Sequence, residues 1–236
     1  MSIKAVLFDL DGTLLPMDLE MFLKAYFGGL AKRLAPHGYD PDTLIKVVME
    51  GTDAMIKNDG KKRNEDVFWE TFYSRYGDAA RADYKHFEAF YDEDFDRVKD
   101  VCGYDPEAKA AVMRIKEMGF KIVLATTPVF PEIATEKRTS WTGLSLSDFD
   151  LYTTYENSHS AKPSAAYYLE IAEKLGVSPD ECLMVGNDVS EDMVASNVGM
   201  KVFLLPKCLI NKHGEDIEKY PHGDFSDLIA YIKTFI

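Results

Sequence analysis

The chain has 236 residues, 46% of them hydrophobic and 28% charged, which is the composition of a folded globular protein and excludes a disordered or fibrous one. Its net charge of −13 argues against nucleic acid and against an anionic membrane surface as partners. Three cysteines, Cys102, Cys182 and Cys208, lack CxxC spacing and speak against a disulfide framework or a structural zinc site, and no apolar run approaches a membrane span.

The first element is the apolar run from Ile3 to Phe8, interrupted only by Lys4, which predicts a strand buried on both faces. It is too short for a signal peptide and meets Asp9 at once, so a cytoplasmic protein is expected. The strand runs into Asp9-Leu10-Asp11-Gly12-Thr13-Leu14. Residues i and i+2 of a strand point the same way, so Asp9 and Asp11 share a site if the geometry persists, although Gly12 suggests that the chain is already turning. Carboxylates buried at a strand end cost free energy unless they are paired or bind a cation. A bound metal accounts for two of them, with ordinary Asp-Gly turn chemistry as the competing explanation.

From Met17 to about Lys99 the periodicity is helical and no strand is evident. Phe22, Ala25, Tyr26 and Gly29 hold the spacing of one helix face, and Leu44, Val47, Val48 and Met55 another. This stretch reads as an all-helical insertion. Its aromatic residues would form a core or line a pocket, and Lys24, Lys32 and Lys57 are expected to be solvated.

Strands and helices then alternate. Asp105-Pro106-Glu107 starts a helix that ends at Gly119, and Phe120–Ala125 is a buried strand. A helix around 131–139, a weaker strand at Leu151–Thr154 and a helix from Pro163 to Leu175 follow. Cys182–Val185 is the third buried strand, Glu191–Val198 a helix, Lys201–Leu205 a fourth strand, and Ser226–Thr234 the last helix. The alternation predicts an α/β fold, a doubly wound parallel sheet with helices on both faces. Ligands of such sheets bind beyond the carboxyl ends of the strands, where Asp9, Thr126 and Asp188 should converge.

Each remaining strand end is weakly informative alone. The Thr126 hydroxyl, with Thr127 and Pro128 after it, can donate to a phosphate oxygen. Lys162, held out of helical angles by Pro163, places an ammonium beside a helix N-terminus and so completes an anion site. Gly186-Asn187-Asp188, with Asp192 four residues on, is another carboxylate cluster just past a strand.

Taken together in this order, these residues resemble the haloacid dehalogenase-like hydrolase superfamily over essentially the whole chain. The resemblance rests on Asp9-Leu10-Asp11-Gly12-Thr13-Leu14, Thr126, Lys162-Pro163 and Gly186-Asn187-Asp188 with Asp192. It implies a Rossmann-like core domain of residues 1–15 and 101–236 with an inserted helical cap domain, 16–100. It further implies a Mg²⁺-dependent phosphatase acting on a small phosphorylated metabolite through an aspartyl-phosphate, with Asp9 as nucleophile and Asp11 as general acid and base. Asp9, the Asp11 carbonyl and Asp188 would hold the metal, while Thr126 and Lys162 would hold phosphoryl oxygens. Asp192 would orient Lys162 or a metal-bound water, with Asn187 and Thr127 in support. Thr127 departs from the asparagine frequent at its position. A phosphomutase on a sugar phosphate, and a non-catalytic binding protein on the same fold, are the alternatives; the oligomeric state is not legible.

Overall fold

The computed structural model describes residues 2–236. Five parallel strands form one sheet: β1 (Ala5–Phe8), β2 (Lys121–Leu124), β3 (Leu151–Tyr152), β4 (Cys182–Gly186) and β5 (Lys201–Leu204), in the order β3-β2-β1-β4-β5. Every residue of β1 is completely buried, as expected for a central strand covered on both faces. Its alternate side chains serve two cores. Val6 and Phe8 join Ile122, Leu124 and Val185 on one face, whereas Ala5 and Leu7 join Val123, Ala125 and Met184 on the other.

Helices α5 (Pro106–Glu117) and α8 (Phe225–Lys233) cover the first face, and α7 (Ala165–Leu175) covers the second through Tyr167, Tyr168, Ile171 and Ala172. Two starts are set by side-chain caps: Asp105 accepts the Glu107 N–H at 3.0 Å, and Asp224 with Asp227 forms a reciprocal capping box. Between β1 and β2 the chain is helical only. Here α1 (Leu19–Leu34), α2 (Pro41–Ile56), α3 (Asn64–Tyr76) and α4 (Tyr84–Ala89) are followed by a π turn and a 3₁₀ stretch ending at Val101. The aromatic core of this insertion, with Phe22, Phe68, Phe72 and Phe95, is continuous with the core on the first face of the sheet.

Three elements differ from the sequence reading. The strand expected at Leu151–Thr154 pairs only through Leu151 and Tyr152. The helix expected from Pro163 begins at Ala165, where the Ser164 hydroxyl accepts the Ala166 N–H. The helix expected over Glu191–Val198 is a 3₁₀ turn from Met193, because the residues before it close a loop: the Asp188 carbonyl accepts the Asp192 N–H at 2.8 Å.

The strand order places the switch point beside β1. The chain leaves β1 towards β2 and β3, then returns to the other side of β1 as β4. The carboxyl ends of β1 and β4 therefore flank the crevice in which open α/β sheets bind ligands. The backbone keeps them in register, with the Asp9 N–H donating to the Val185 carbonyl at 2.9 Å and the Ala125 N–H to the Phe8 carbonyl at 2.7 Å.

Packing within the insertion is tight at Gly51 of α2, where a Cβ would lie 2.6 Å from the Phe68 ring of α3. Alanine is favoured over glycine by about 1 kcal/mol in a helix interior, but here overpacking opposes it. Gly51→Ala should lower stability by about 1–3 kcal/mol, read as a lower urea midpoint at unchanged slope. A raised midpoint would mean that α2 and α3 have room to part.

Candidate active site

The turn after β1 depends on Gly12, whose φ of +86° is costly for any other residue and whose missing Cβ would stand 2.3 Å from Asn187 Nδ2. Asn187 ties three segments together. Its Oδ1 accepts the Thr13 hydroxyl at 2.9 Å, and its Nδ2 donates to the Cys208 carbonyl at 2.7 Å. The Thr13 hydroxyl also lies 3.0 Å from Asp9 Oδ2, so its one proton is shared between the two acceptors.

Asp9 is 7% exposed, and its other oxygen, Oδ1, accepts from Lys162 Nζ at 2.8 Å. Lys162 is fully buried and makes a second ion pair with Asp192 Oδ1 at 2.6 Å. Burial by itself would drive the proton off this lysine, yet Asp192 and Asp9 hold its pKa well above the usual value. Asp192 is in turn pushed by burial up to about 7, against the pull of Lys162. Its second oxygen accepts the Asp188 N–H at 3.0 Å, in space that a side chain at residue 186 would fill: a Cβ on Gly186 would fall 2.0 Å from Asp192 Oδ2.

Asp188 uses one oxygen, Oδ1, to accept the N–H groups of Ser190 (2.7 Å) and Glu191 (3.0 Å), leaving Oδ2 without a protein donor among the described residues. Thr126 is buried at the end of β2. Its carbonyl is held by the Thr153 hydroxyl (2.7 Å) and the Tyr167 hydroxyl (2.9 Å), while its own hydroxyl has no protein partner among the described residues. Thr127 donates to Glu191 Oε2 at 3.1 Å. Burial raises the pKa of Glu191, opposed by Lys162.

The structure thus brings Asp9, Lys162, Asp192, Asn187 and Asp188 into one bonded network, with Thr126 and Thr127 on the neighbouring strand end. It also contains participants to which the sequence reading assigned no role. Thr13 and Glu191 are two. The third is Arg138 on α6 (Glu132–Trp141), whose completely buried guanidinium pairs with Asp11 Oδ2, bonds the Ala134 carbonyl at 3.2 Å, and lies 4.4 Å over the Phe130 ring. An arginine four residues after Ala134 on an apolar helix face was the available signal. Asp11 Oδ1 is buried with no partner. Burial raises the Asp11 pKa, with Arg138 lowering it and Asp9 raising it.

No three His, Cys, Asp or Glu side chains among the described residues gather as a metal cluster. The available donor set is instead two carboxylates and a main-chain carbonyl. Asp188 Oδ2 and the Asp11 carbonyl accept no hydrogen bond among the described residues. Acidic side chains (Asp9, Asp11, Asp188, Glu191 and Asp192) outnumber the cations Lys162 and Arg138 in this crevice. Hard oxygen donors in a crevice with more carboxyl groups than cations fit a divalent cation of the Mg²⁺ type. Lys24, Lys32 and Lys57 are all exposed.

This α/β sheet, with a carboxylate-rich crevice at its switch point, has clear relatives. Residues 3–198 match the family model for haloacid dehalogenase-like hydrolases, and the chain belongs to that family. It is 26% identical to the phosphoglycolate phosphatase of Aquifex aeolicus over 203 residues, 85% of this chain and 84% of that one. It is 32% identical to YhcW of Bacillus subtilis over 101 residues, covering 43% of this chain and 44% of YhcW. Among solved structures, the 2-haloacid dehalogenase of Pseudomonas syringae pv. tomato superposes with a TM-score of 0.63 at 18% identity, over 99% of this chain and 100% of the other, which is a likeness of fold.

The buried Arg138 should be costly to remove alone. Arg138→Met leaves the Asp11 carboxylate without its counter-charge and should cost about 3 kcal/mol in urea denaturation. The double variant with Asp11→Asn should recover much of that loss, and a single-variant cost near zero would show that water already solvates the pair.

Proposed function

We propose that the protein is a Mg²⁺-dependent phosphatase that hydrolyses a small phosphorylated metabolite through an aspartyl-phosphate intermediate. One observation carries this reading: the Asp9 carboxylate is held at the end of β1 between the Lys162 ammonium and the Thr13 hydroxyl, next to a second carboxyl of raised pKa, Asp11. The relatedness to a phosphoglycolate phosphatase supports phosphate esters as the substrate class. The helical insertion, 16–100, is read as a cap domain over the core formed by 1–15 and 101–236.

In this scheme an Asp9 oxygen attacks phosphorus while the bond from phosphorus to the ester oxygen breaks. That oxygen leaves with a proton from Asp11. The proton would reside on Oδ1, the oxygen that Arg138 does not occupy and whose burial favours the neutral form. Water then attacks the phosphoryl group and Asp11 takes its proton, which frees inorganic phosphate and restores Asp9. Lys162 and the unpartnered Thr126 hydroxyl bind phosphoryl oxygens, and Asp192 keeps the ammonium charged and aimed. Asp9, Asp188 and the Asp11 carbonyl would hold Mg²⁺, which supplies neutralisation of the phosphoryl charge.

The test is hydrolysis of a generic aryl phosphate by wild type and by Asp9→Asn, with Mg²⁺ and with EDTA. Turnover should require both the metal and Asp9, the variant remaining folded by circular dichroism. Lys162→Met should lose about 10²–10³ in kcat. Undiminished turnover by Asp9→Asn, or by wild type in EDTA, would refute the scheme.

A further inference from the structure

A cavity of about 310 Å³ lies within the helical insertion, at the low end of the roughly 300–1,000 Å³ of small-molecule pockets. Helices α1, α2, α3 and α4 supply most of its wall, and the rest comes from Tyr91, Tyr155 and the loop that leaves β2 through Thr126, with Val129, Phe130 and Pro131. Its polar groups are few. The Tyr26 and Tyr91 hydroxyls satisfy each other at 2.9 Å, and Asp53 is occupied by Lys57 at 2.6 Å on the exposed side of α2. Trp69 differs: it is nine-tenths buried in this wall, and its indole N–H, beside the Tyr155 hydroxyl, makes no well-formed hydrogen bond among the described residues. A buried donor left unpaired costs about 1–3 kcal/mol, so an acceptor brought by a ligand would repay it.

The cavity is close to the proposed chemistry. Phe130 contributes to its wall, and the same ring packs 4.4 Å from the Arg138 guanidinium, which pairs with Asp11. A general acid must touch the oxygen that leaves, so the leaving group begins beside Asp11, and Arg138 and Phe130 are the two side chains between Asp11 and this cavity. Charge then narrows its identity. No lysine, arginine or histidine lines the cavity, and the one ionised side chain there is Asp53. A carboxylate or a second phosphate placed in such a wall would be desolvated without a counter-ion, which is strongly unfavourable.

We propose that this cavity receives the leaving group of the substrate, and that the leaving group is neutral, apolar and of aryl or branched-alkyl type, with one acceptor atom for Trp69. The inference rests on the phosphatase reading, and it separates this chain from an enzyme whose leaving group is the anion glycolate. Binding would bury an aromatic or aliphatic body against Phe68, Phe87 and Tyr155, for which no ionic partner is needed.

The experiment compares 1-naphthyl phosphate, methyl phosphate and phosphoglycolate with Mg²⁺ present, in wild type and in two cavity-filling variants, Leu23→Trp and Thr52→Phe. Binding of 1-naphthol, which carries no phosphate, is followed separately by ligand-observed NMR. The wild type should prefer naphthyl phosphate to phosphoglycolate by about ten-fold or more in kcat/KM. In either variant the ratio of kcat/KM for naphthyl over methyl phosphate should fall about ten-fold, a change that general loss of folded protein cannot produce. Preference for phosphoglycolate overturns the proposal and leaves the phosphatase reading standing. Absence of turnover on all three esters counts against the phosphatase reading instead. The cavity is then judged by 1-naphthol: binding that the filling variants abolish upholds an apolar ligand site, and no binding to wild type overturns it.

Discussion

A buried ammonium organises this molecule. Lys162 sits where water cannot solvate it, and it remains charged only because Asp9 and Asp192 stand 2.8 and 2.6 Å away. The dependence is mutual, since Lys162 opposes the burial that pushes the proton onto Asp192. The three groups arrive from β1, from the loop before α7 and from the loop after β4. A pairing that spans segments so far apart in the chain holds the three to one another, and two glycines make room for the network around it. Gly186 is small because the Asp192 carboxylate occupies the space a side chain would need, and Gly12 because Asn187 does. The cost of burying charge is thereby converted into a pre-arranged crevice at the switch point of the sheet.

Around this centre the charges are distributed unequally. Asp9 meets Lys162 and Asp11 meets Arg138, so the two carboxyl groups that end β1 are each bound to a different cation from a different element. Asp11 keeps one buried oxygen without a partner among the described residues. Such an unsatisfied acceptor is unusual in a well-packed interior and marks a place where chemistry, rather than stability, sets the residue. The helical insertion presents the opposite environment. Its aromatic rings pack edge to face around an apolar space with almost no charge. Acidic crevice and apolar cavity meet at Phe130 and Arg138, where the ring faces the guanidinium.

Much of the fold was legible because its signals are local. β1, β2, β4 and β5 are continuous apolar runs, and α5 and α7 end at Gly119 and Gly176 where the periodicity stops. The boundaries that differed were governed by non-local bonds. Local sequence predicts Asp192 in the first turn of a helix, but its carboxylate bonds the Asp188 N–H and the distant Lys162, and the helix yields to a short 3₁₀ turn. Lys162 illustrates the same limit for the site. A lysine before a proline is ordinarily solvated, and nothing within its own stretch reveals that it is completely enclosed.

The sequence by itself determined the alternation of strands and helices, the all-helical stretch after the first strand, the carboxylates at strand ends, and the family to which the chain belongs. These follow from hydrophobic period and from residue types at short spacing, which a linear chain displays openly. Only the tertiary structure decided that Arg138 is the partner of Asp11, that Thr13 and Asn187 brace Asp9, that Thr127 turns to Glu191, and that a cavity without cationic side chains lies beyond Phe130. Arg138 and Asp11 are 127 positions apart. Which cation meets which carboxylate is settled by strand order and helix docking in three dimensions, and no local pattern carries that information.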